Sequence, residues 1–411
     1  MKILVMTDSF FIPTGLGRVG RELAFGLMER GHQIGYIGWF HRPHIMGQIP
    51  QGMSYWQTNN NMYGSDIFDA VVSSFRPDVV LTIGDLWFLS YISDPGQCRT
   101  RRLFQWCSYI PVDGEPVNGG IPPALIAPIE DVDIPVAYTN YAKEAVLKSC
   151  FDAELRNRIR VIYHGTSPEI YRPLPPEDRK KLREQFQVDD KFVFLTVCRN
   201  QSRKNIPEMF RAWKTFSEFV DTKDKVVFWP HMYFRDPMGW NIEELLEVLK
   251  LRNNSVRYYR QVAFANSELH LIPEVELAKL YQMADAFILL SGEGFGLPTI
   301  EAMASRLPCI LLDTAASAEL GADGRAELVG VNGGITWTGS HLTQRPVPTI
   351  ESVVSSMYRV YKDADYRENI AKNAYEFAIQ YPWKRIVDEW NLLFMEKEVP
   401  FLRPVNLEVA V

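Results

Sequence analysis

Ser291-Gly292-Glu293-Gly294-Phe295-Gly296-Leu297-Pro298-Thr299-Ile300-Glu301 follows directly on the apolar run Ala286-Phe287-Ile288-Leu289-Leu290. The run reads as a buried parallel strand. Pro298 suits the first turn of a helix, where its missing N–H costs nothing. The order is therefore strand, glycine loop, helix. Loop N–H groups and the helix dipole together favour an anion, with phosphate as the usual occupant. Glu293 in the loop and Glu301 one turn into the helix are poor phosphate ligands but good acceptors for sugar hydroxyls. Amides for phosphate beside carboxylates for hydroxyls fit a nucleotide-sugar.

At this segment the chain resembles the family-4 retaining glycosyltransferases of the GT-B fold, which carry a Glu pair spaced as Glu293 and Glu301 are here. The resemblance implies that Glu293 holds donor-sugar hydroxyls, helped by the N–H groups of Phe295 and Gly296. It gives Glu301 to the ribose hydroxyls, and the N–H groups around Leu297, Pro298 and Thr299 to the diphosphate. It implies an α/β fold class, GT-B, with two Rossmann-like domains facing each other across a cleft.

The rest of the sequence is compatible with that class. A chain of 411 residues can build two cores, and 46% hydrophobic with 23% charged residues is ordinary for a globular enzyme. A net charge of −6 argues against bulk electrostatic binding to nucleic acid or anionic lipid. Five scattered cysteines show no metal-ligand spacing, and reduced cytosolic thiols are the default reading. No apolar stretch is long enough for a transmembrane helix. The expected localisation is cytoplasmic, with a peripheral membrane position left open.

Strand-then-helix alternation predicts parallel doubly wound sheets. Strands are expected at Lys2–Met6, Gln33–Trp39, Asp78–Thr82, Leu103–Ile110, Ile134–Tyr138 and Arg160–Tyr163. A second series is expected at Phe192–Val197, Val226–Trp229, Val256–Tyr259, Ala286–Leu290 and Pro308–Leu312. Val19, Leu23 and Leu27 mark a first helix that ends at Gly31-His32. Helices are also expected at Ile242–Leu251 and Glu274–Ala284. Pro168 to Lys180, proline-rich and charged, reads as a linker. The division is residues 1–168, an acceptor domain, and 169–382, a nucleotide-sugar domain. A last helix within 383–411 crosses back onto the first domain, as in the family.

Arg199 and Lys204 follow the strand Phe192–Val197, where two cations can neutralise a diphosphate leaving group. The family has an Arg and a Lys here, and resemblance assigns both to the donor β-phosphate. Arg203 between them reads as a surface charge. In Pro13-Thr14-Gly15-Leu16-Gly17-Arg18 the family has two adjacent glycines whose amides meet the phosphate from the other side. Gly15 matches by its distance to Leu23-Ala24, and Gly17 is the alternative. Many members carry a cleft histidine after the strand ending at Ile110; here Asp113 takes that place. His231 ends a strand whose end faces the cleft, while His164 reads as a structural hinge. Asp131-Val132-Asp133 matches a metal-binding D-x-D but sits in no matching fold, so no metal or other cofactor is expected. Trp39, Trp56, Trp87 and Trp106 supply aromatic surface, with core packing the ordinary use.

The reading is a retaining, metal-independent transferase of glycan-biosynthetic type. It would move a sugar from a nucleoside diphosphate, UDP- or GDP-sugar first, to an acceptor hydroxyl. Glu293, Arg199, Lys204 and Asp113 are the catalytic candidates. Glycan, glycolipid and small-molecule acceptors stay open, and a nucleic-acid acceptor is not favoured. A nucleotide-sugar epimerase and a non-catalytic nucleotide-sugar-binding protein are the alternatives.

Overall fold

A computed structural model describes residues 1–40, 47–150, 152–220, 225–251, 255–263, 272–338 and 342–396. Ile3, Leu4, Val5 and Met6 are all fully buried. Such an unbroken apolar run belongs to a strand covered on both faces. It is β1 (Lys2–Asp8), and around it lie β2 (Gln33–Trp39), β3 (Ser54–Gln57), β4 (Val79–Ile83), β5 (Gln105–Ile110), β6 (Ile134–Ala137) and β7 (Arg160–Val161). Their order is β3-β2-β1-β4-β5-β6-β7, with every pair parallel. A second parallel sheet holds β8 (Phe192–Val197), β9 (Val226–His231), β10 (Ala286–Leu289), β11 (Cys309–Leu312) and β12 (Glu327–Val329), ordered β12-β11-β10-β8-β9. An antiparallel hairpin of β13 (Ile335–Thr338) and β14 (Thr343–Pro346) completes the strands.

Strand order reverses between β1 and β4 in the first sheet and between β8 and β10 in the second. In open parallel sheets ligands bind in the crevice beyond such reversals, at the carboxyl ends of the strands. The loops leaving β8 and β10 are the two that carry Arg199 to Lys204 and Ser291 to Gly296.

Helix Gly15–Glu29 is capped by the Thr14 hydroxyl, which accepts from the Gly17 amide at 3.0 Å. It buries Val19, Leu23 and Leu27 and is followed by Gly31 at φ 88°. Helix Trp383–Glu396 lies on it: Arg30 Nε donates to Asp388 Oδ1 at 2.8 Å, and the His32 and Asn391 side chains meet at 2.8 Å. Trp390 packs edge-on to Tyr109 of β5. Residues 397–411 of the expected C-terminal segment lie outside the described residues. The outgoing and returning chains run side by side, with Thr166 N donating to Tyr381 O at 2.9 Å and Trp383 N to Thr166 O at 3.0 Å.

Three sequence expectations are corrected. The Pro168–Lys180 linker is helical in its second part, because Pro176 opens helix Pro176–Gln185. Val256–Tyr259 forms a single bridge to Phe228 rather than a strand, before the chain turns into helix Arg260–Ala263. The helix expected to reach Leu251 stops at Val248, with Lys250 at φ 56°. Half-exposed β3 and exposed β13 carry no buried apolar run and lie outside the strands expected from the sequence. No helix among the described residues is long and apolar enough to cross a membrane.

Gly15 and Gly17 differ in what surrounds them. A Cβ on Gly17 would lie 2.6 Å from Ile12 O and 2.8 Å from Ser9 O, whereas one on Gly15 would lie 3.7 Å from Leu297 Cδ1. Gly17→Ala should therefore destabilise the protein by about 1–3 kcal/mol, since backbone must move. Gly15→Ala should leave stability within about 1 kcal/mol of the parent or raise it. Urea unfolding of both variants tests this, and equal midpoints would contradict it.

Candidate active site

Gly296 caps helix Leu297–Ala304 in a left-handed conformation, φ 97° and ψ 65°, which an L side chain rarely adopts. Its carbonyl accepts from Thr299 N at 2.9 Å and Ile300 N at 3.3 Å. Thr299's amide is thus spent inside the helix, and Pro298 has none. Among the described residues no acceptor sits on the N–H groups of Phe295, Gly296 and Leu297. Of the amides that the resemblance gives to the diphosphate, Leu297's is left open, beside those of Phe295 and Gly296 that it gives to the donor sugar.

Glu293 is buried in the same loop, and its Oε1 accepts from both the Lys204 ammonium and the Ser291 hydroxyl. Arg203 Nη1 stands 3.9 Å from Oε2. Burial alone would raise the Glu293 pKa, but Lys204 and Arg203 outweigh it and hold the carboxyl below its ordinary value. Burial and Arg203 pull the Lys204 ammonium below its usual range, and Glu293 opposes them. Each charge in this pair keeps the other ionised.

Arg203 is not a surface charge. It donates to Gly292 O at 3.3 Å and lies 3.4 Å from Asp113 Oδ2. Asp113 also accepts from Arg345 Nη2 on β14 at 2.8 Å. Burial opposes ionisation of Asp113, yet Arg203 and Arg345 keep its pKa below the usual value. A carboxylate so committed is a weak proton acceptor, so Asp113 acts in this geometry as an ionic tie between first-domain loop and second-domain hairpin. Arg199 is separate from Lys204: its Nε donates to the buried Asp236 at 2.7 Å. Glu301 accepts from Arg18 and, at 2.8 Å, from Tyr281. Burial raises its pKa, with Arg18 opposing.

Residues 250–336 match the family described as glycosyl transferases group 1. A segment of 107 residues is 34% identical to the serotype-specific mannosyltransferase WbdA of Escherichia coli, covering 26% of this chain and 11% of that protein. The chain thus spans only about a tenth of that relative's length. The whole architecture is similar to HepE of Anabaena in complex with UDP-glucose, at TM-score 0.71 and 16% identity over 97% of this chain and 100% of that one. It is also similar to an E. coli protein described as trehalose-6-phosphate bound with UDP-2-fluoro glucose, at TM-score 0.69 and 13% identity over 97% and 99%. The glycosyltransferase WaaG gives TM-score 0.65 and 14% identity over 97% and 100%. This chain's fold is GT-B, and its match to the glycosyl transferases group 1 family covers residues 250–336.

In this GT-B chain the remaining candidates are spread along the facing edges of the sheets. Gly17 is buried with its amide taken by Thr14, whereas Gly15 is exposed and faces Leu297 across the cleft. His231 ends β9; burial pushes its pKa down to about 4, and its Nδ1 has no partner among the described residues. His164 is buried against Tyr109, with its ring nitrogen 2.8 Å from the phenol, and its pKa is about 3 through burial. Asp131 and Asp133 both pair with Arg101, a structural use of the D-x-D. Trp39 and Trp106 are core residues.

Sequence reasoning missed Arg203, Arg345, Ser291 and two first-domain carboxylates. Asp8 ends β1 and Asp85 follows β4, so strand order alone could have nominated both. Burial raises Asp8 to about 6, with Thr14 and Arg199 opposing. Burial and Asp113 raise Asp85 to about 7.

Two predictions follow from these charges. Lys204→Ala should cost about 3 kcal/mol by stranding Glu293, and adding Glu293→Gln should restore about half of that. Calorimetry of the single and double variants reads the coupling. Because the folded Asp85 pKa is raised, its ionisation penalises folding: the penalty is absent below about pH 4 and complete above about pH 7. Asp85→Asn should thus stabilise more at pH 8 than at pH 5, by on the order of 2 kcal/mol. A gap between variant and parent that does not widen with pH would refute the assignment.

Proposed function

We propose that this protein is a retaining glycosyltransferase that moves a sugar from a nucleoside-diphosphate donor to an acceptor hydroxyl and needs no metal ion. One observation carries the reading. At the order reversal of the second sheet, the amides of residues 295 to 297 adjoin the cluster of Lys204, Ser291 and Glu293. Amides and cations suit a diphosphate, and the carboxylate suits sugar hydroxyls. The UDP-glucose and UDP-2-fluoro glucose held by similar structures favour a uridine donor, with a GDP-sugar next.

In this reading the diphosphate lies over residues 295–297, facing Gly15. Lys204 and Arg199 meet the charge that grows on the β-phosphate as the glycosidic bond breaks. Arg203 adds a third cation nearby, which supplies charge that a metal ion would otherwise provide. Glu293 would exchange its bond to Lys204 for donor hydroxyls, and Glu301 would exchange Arg18 for the ribose. The acceptor oxygen bonds to the anomeric carbon on the face the phosphate leaves, and its proton passes to the departing phosphate oxygen. Configuration is thereby kept without a protein nucleophile.

A screen of UDP-, GDP-, ADP- and dTDP-sugars by thermal shift should reveal one donor that raises the melting point. With that donor, transfer should persist in EDTA, and the product's anomeric coupling should match the donor's by NMR. Glu293→Ala and Lys204→Ala, scored on protein shown to be folded, should lower kcat/KM by about a hundredfold or more. Transfer at the parent rate by both variants would exclude the mechanism, and interconversion of the donor sugar without acceptor would identify an epimerase.

A further inference from the structure

The second sheet has another edge, at the amino ends of its strands, which the donor reading leaves unused. Asp285 and Pro308 stand there, directly before β10 and β11, and both line a recess of about 180 Å³. Arg179, Arg306 and Arg367 line the same recess. A second recess of about 400 Å³ adjoins it, sharing Leu174 and Arg179. Together the two linings hold five Arg and Lys side chains against three carboxylates. That is an excess of two positive charges in a chain whose net charge is −6.

The inner carboxylate is spent, and the guanidiniums are not. Asp285 accepts from Arg179 at 2.8 Å, from Arg183 at 2.9 Å and from the Val193 amide at 2.8 Å. These bonds staple helix Pro176–Gln185 to the start of β10 and fix one wall. Glu368 lies on the exposed rim and accepts from Arg306 Nη2. Nε and Nη1 of Arg306 have no acceptor among the described residues. Arg367 spends only Nη1, on the Val360 and Tyr361 carbonyls at 2.7 and 3.0 Å. Ser305 also lines the first recess; it is 5% exposed, and its hydroxyl has no hydrogen-bond partner among the described residues. A buried hydroxyl without a partner is costly, and such groups usually serve a ligand or water. The backbone adds an independent sign. Arg306 has φ 59° just past the end of helix Leu297–Ala304, a position where glycine is the ordinary residue. Its amide donates to Met303 O at 2.9 Å, a bond that glycine makes equally well. An arginine held in that conformation is explained by its side chain.

We propose that the paired recess binds a small phosphate monoester, its dianion held by Arg306, Arg367 and the Ser305 hydroxyl and its organic part lying past Leu174 into the second recess. The proposal goes beyond the transferase reading and does not depend on it. Guanidinium forks and a hydroxyl donor match phosphate oxygens, and a dianion balances the excess of two charges. A cation would meet three arginines, and a neutral guest would leave that excess in place. The first recess has room for a phosphate group and little more, so the rest of the molecule needs the second. Because this edge lies opposite the donor loops, the occupant and a nucleotide-sugar do not compete for space. Helix Leu297–Ala304 nonetheless joins the two places, running from the donor amides to Ser305. Tyr281 lines the recess as well, and its hydroxyl donates to Glu301 at 2.8 Å.

The test uses the full chain at constant ionic strength, with glycerol 3-phosphate and inorganic phosphate titrated separately and followed by phosphorus NMR. Glycerol 3-phosphate should bind the parent, and more tightly than inorganic phosphate. Its affinity should fall about tenfold in Arg306→Gly and about threefold in Ser305→Ala. Glu368→Gln should raise it about threefold by releasing Arg306 from its rim partner. Arg306→Gly relieves a left-handed residue and Ser305→Ala strands no partner, so both should melt within about 3 °C of the parent. Absence of binding to the parent would overturn the proposal. So would binding indifferent to both Arg306→Gly and Ser305→Ala, which is what phosphate held only at the donor amides would give. Inorganic phosphate binding as tightly as glycerol 3-phosphate would overturn the monoester.

Discussion

Every strand in the two large sheets runs parallel to its neighbours, and the rest of the site depends on that polarity. A parallel sheet delivers all its carboxyl ends to one edge, so its functional loops converge there whatever their separation in sequence. Asp8 ends β1, and the loops leaving β4 and β5 carry Asp85 and Asp113; those leaving β8 and β10 carry Arg199 to Lys204 and Ser291 to Gly296. The carboxylates of one edge meet the cations of the other. Arg203 reaches Asp113 and approaches Glu293, while Arg345 ties the β14 hairpin to the same Asp113.

These contacts impose unequal electrostatic demands. Glu293 and Asp113 are each flanked by cations that keep them ionised despite burial. Asp8 and Asp85 lie farther into the first domain, where burial dominates and their pKa values rise to about 6 and about 7. One cleft therefore holds two populations of carboxylate: Glu293 and Asp113, kept ionised between cations, and Asp8 and Asp85, whose ionisation burial opposes. Environment, not residue type, divides the work.

The fold was legible because buried parallel strands announce themselves as apolar runs. Phe192–Val197 and Gln33–Trp39 coincide with their expected limits, and the Val19, Leu23 and Leu27 stripe faces the core. What escaped lacks that signal. β3 is half-exposed, β13 is largely exposed, and Val256 pairs through only one bridge. In the site, the Ser291–Glu301 loop was readable because chain neighbours build it. Arg203 looked like an ordinary loop charge, since its partners Asp113 and Glu293 are each about ninety residues away. Arg345 stands on a short hairpin with no motif, and its role exists only once Asp113 is opposite. Asp85 gains meaning from strand order, which periodicity does not encode.

The pairing of Arg18 with Glu301 joins the first domain's opening helix to the second domain's glycine-loop helix. Glu319 does something similar at the far side, accepting from the Asn140 and Tyr141 amides at 2.9 and 2.7 Å and so capping a helix of the opposite domain. With Lys204 on Glu293, the cleft satisfies its own charges; under the proposed function, that ammonium holds the place of the donor's hydroxyls and the Arg18 guanidinium that of its ribose. A newcomer must therefore outcompete built-in placeholders. Part of its intrinsic affinity is surrendered to that exchange, and selectivity is gained in return. A molecule bringing only phosphate, or only hydroxyls, displaces some placeholders and strands their partners; one bringing both at the right spacing leaves no charge orphaned.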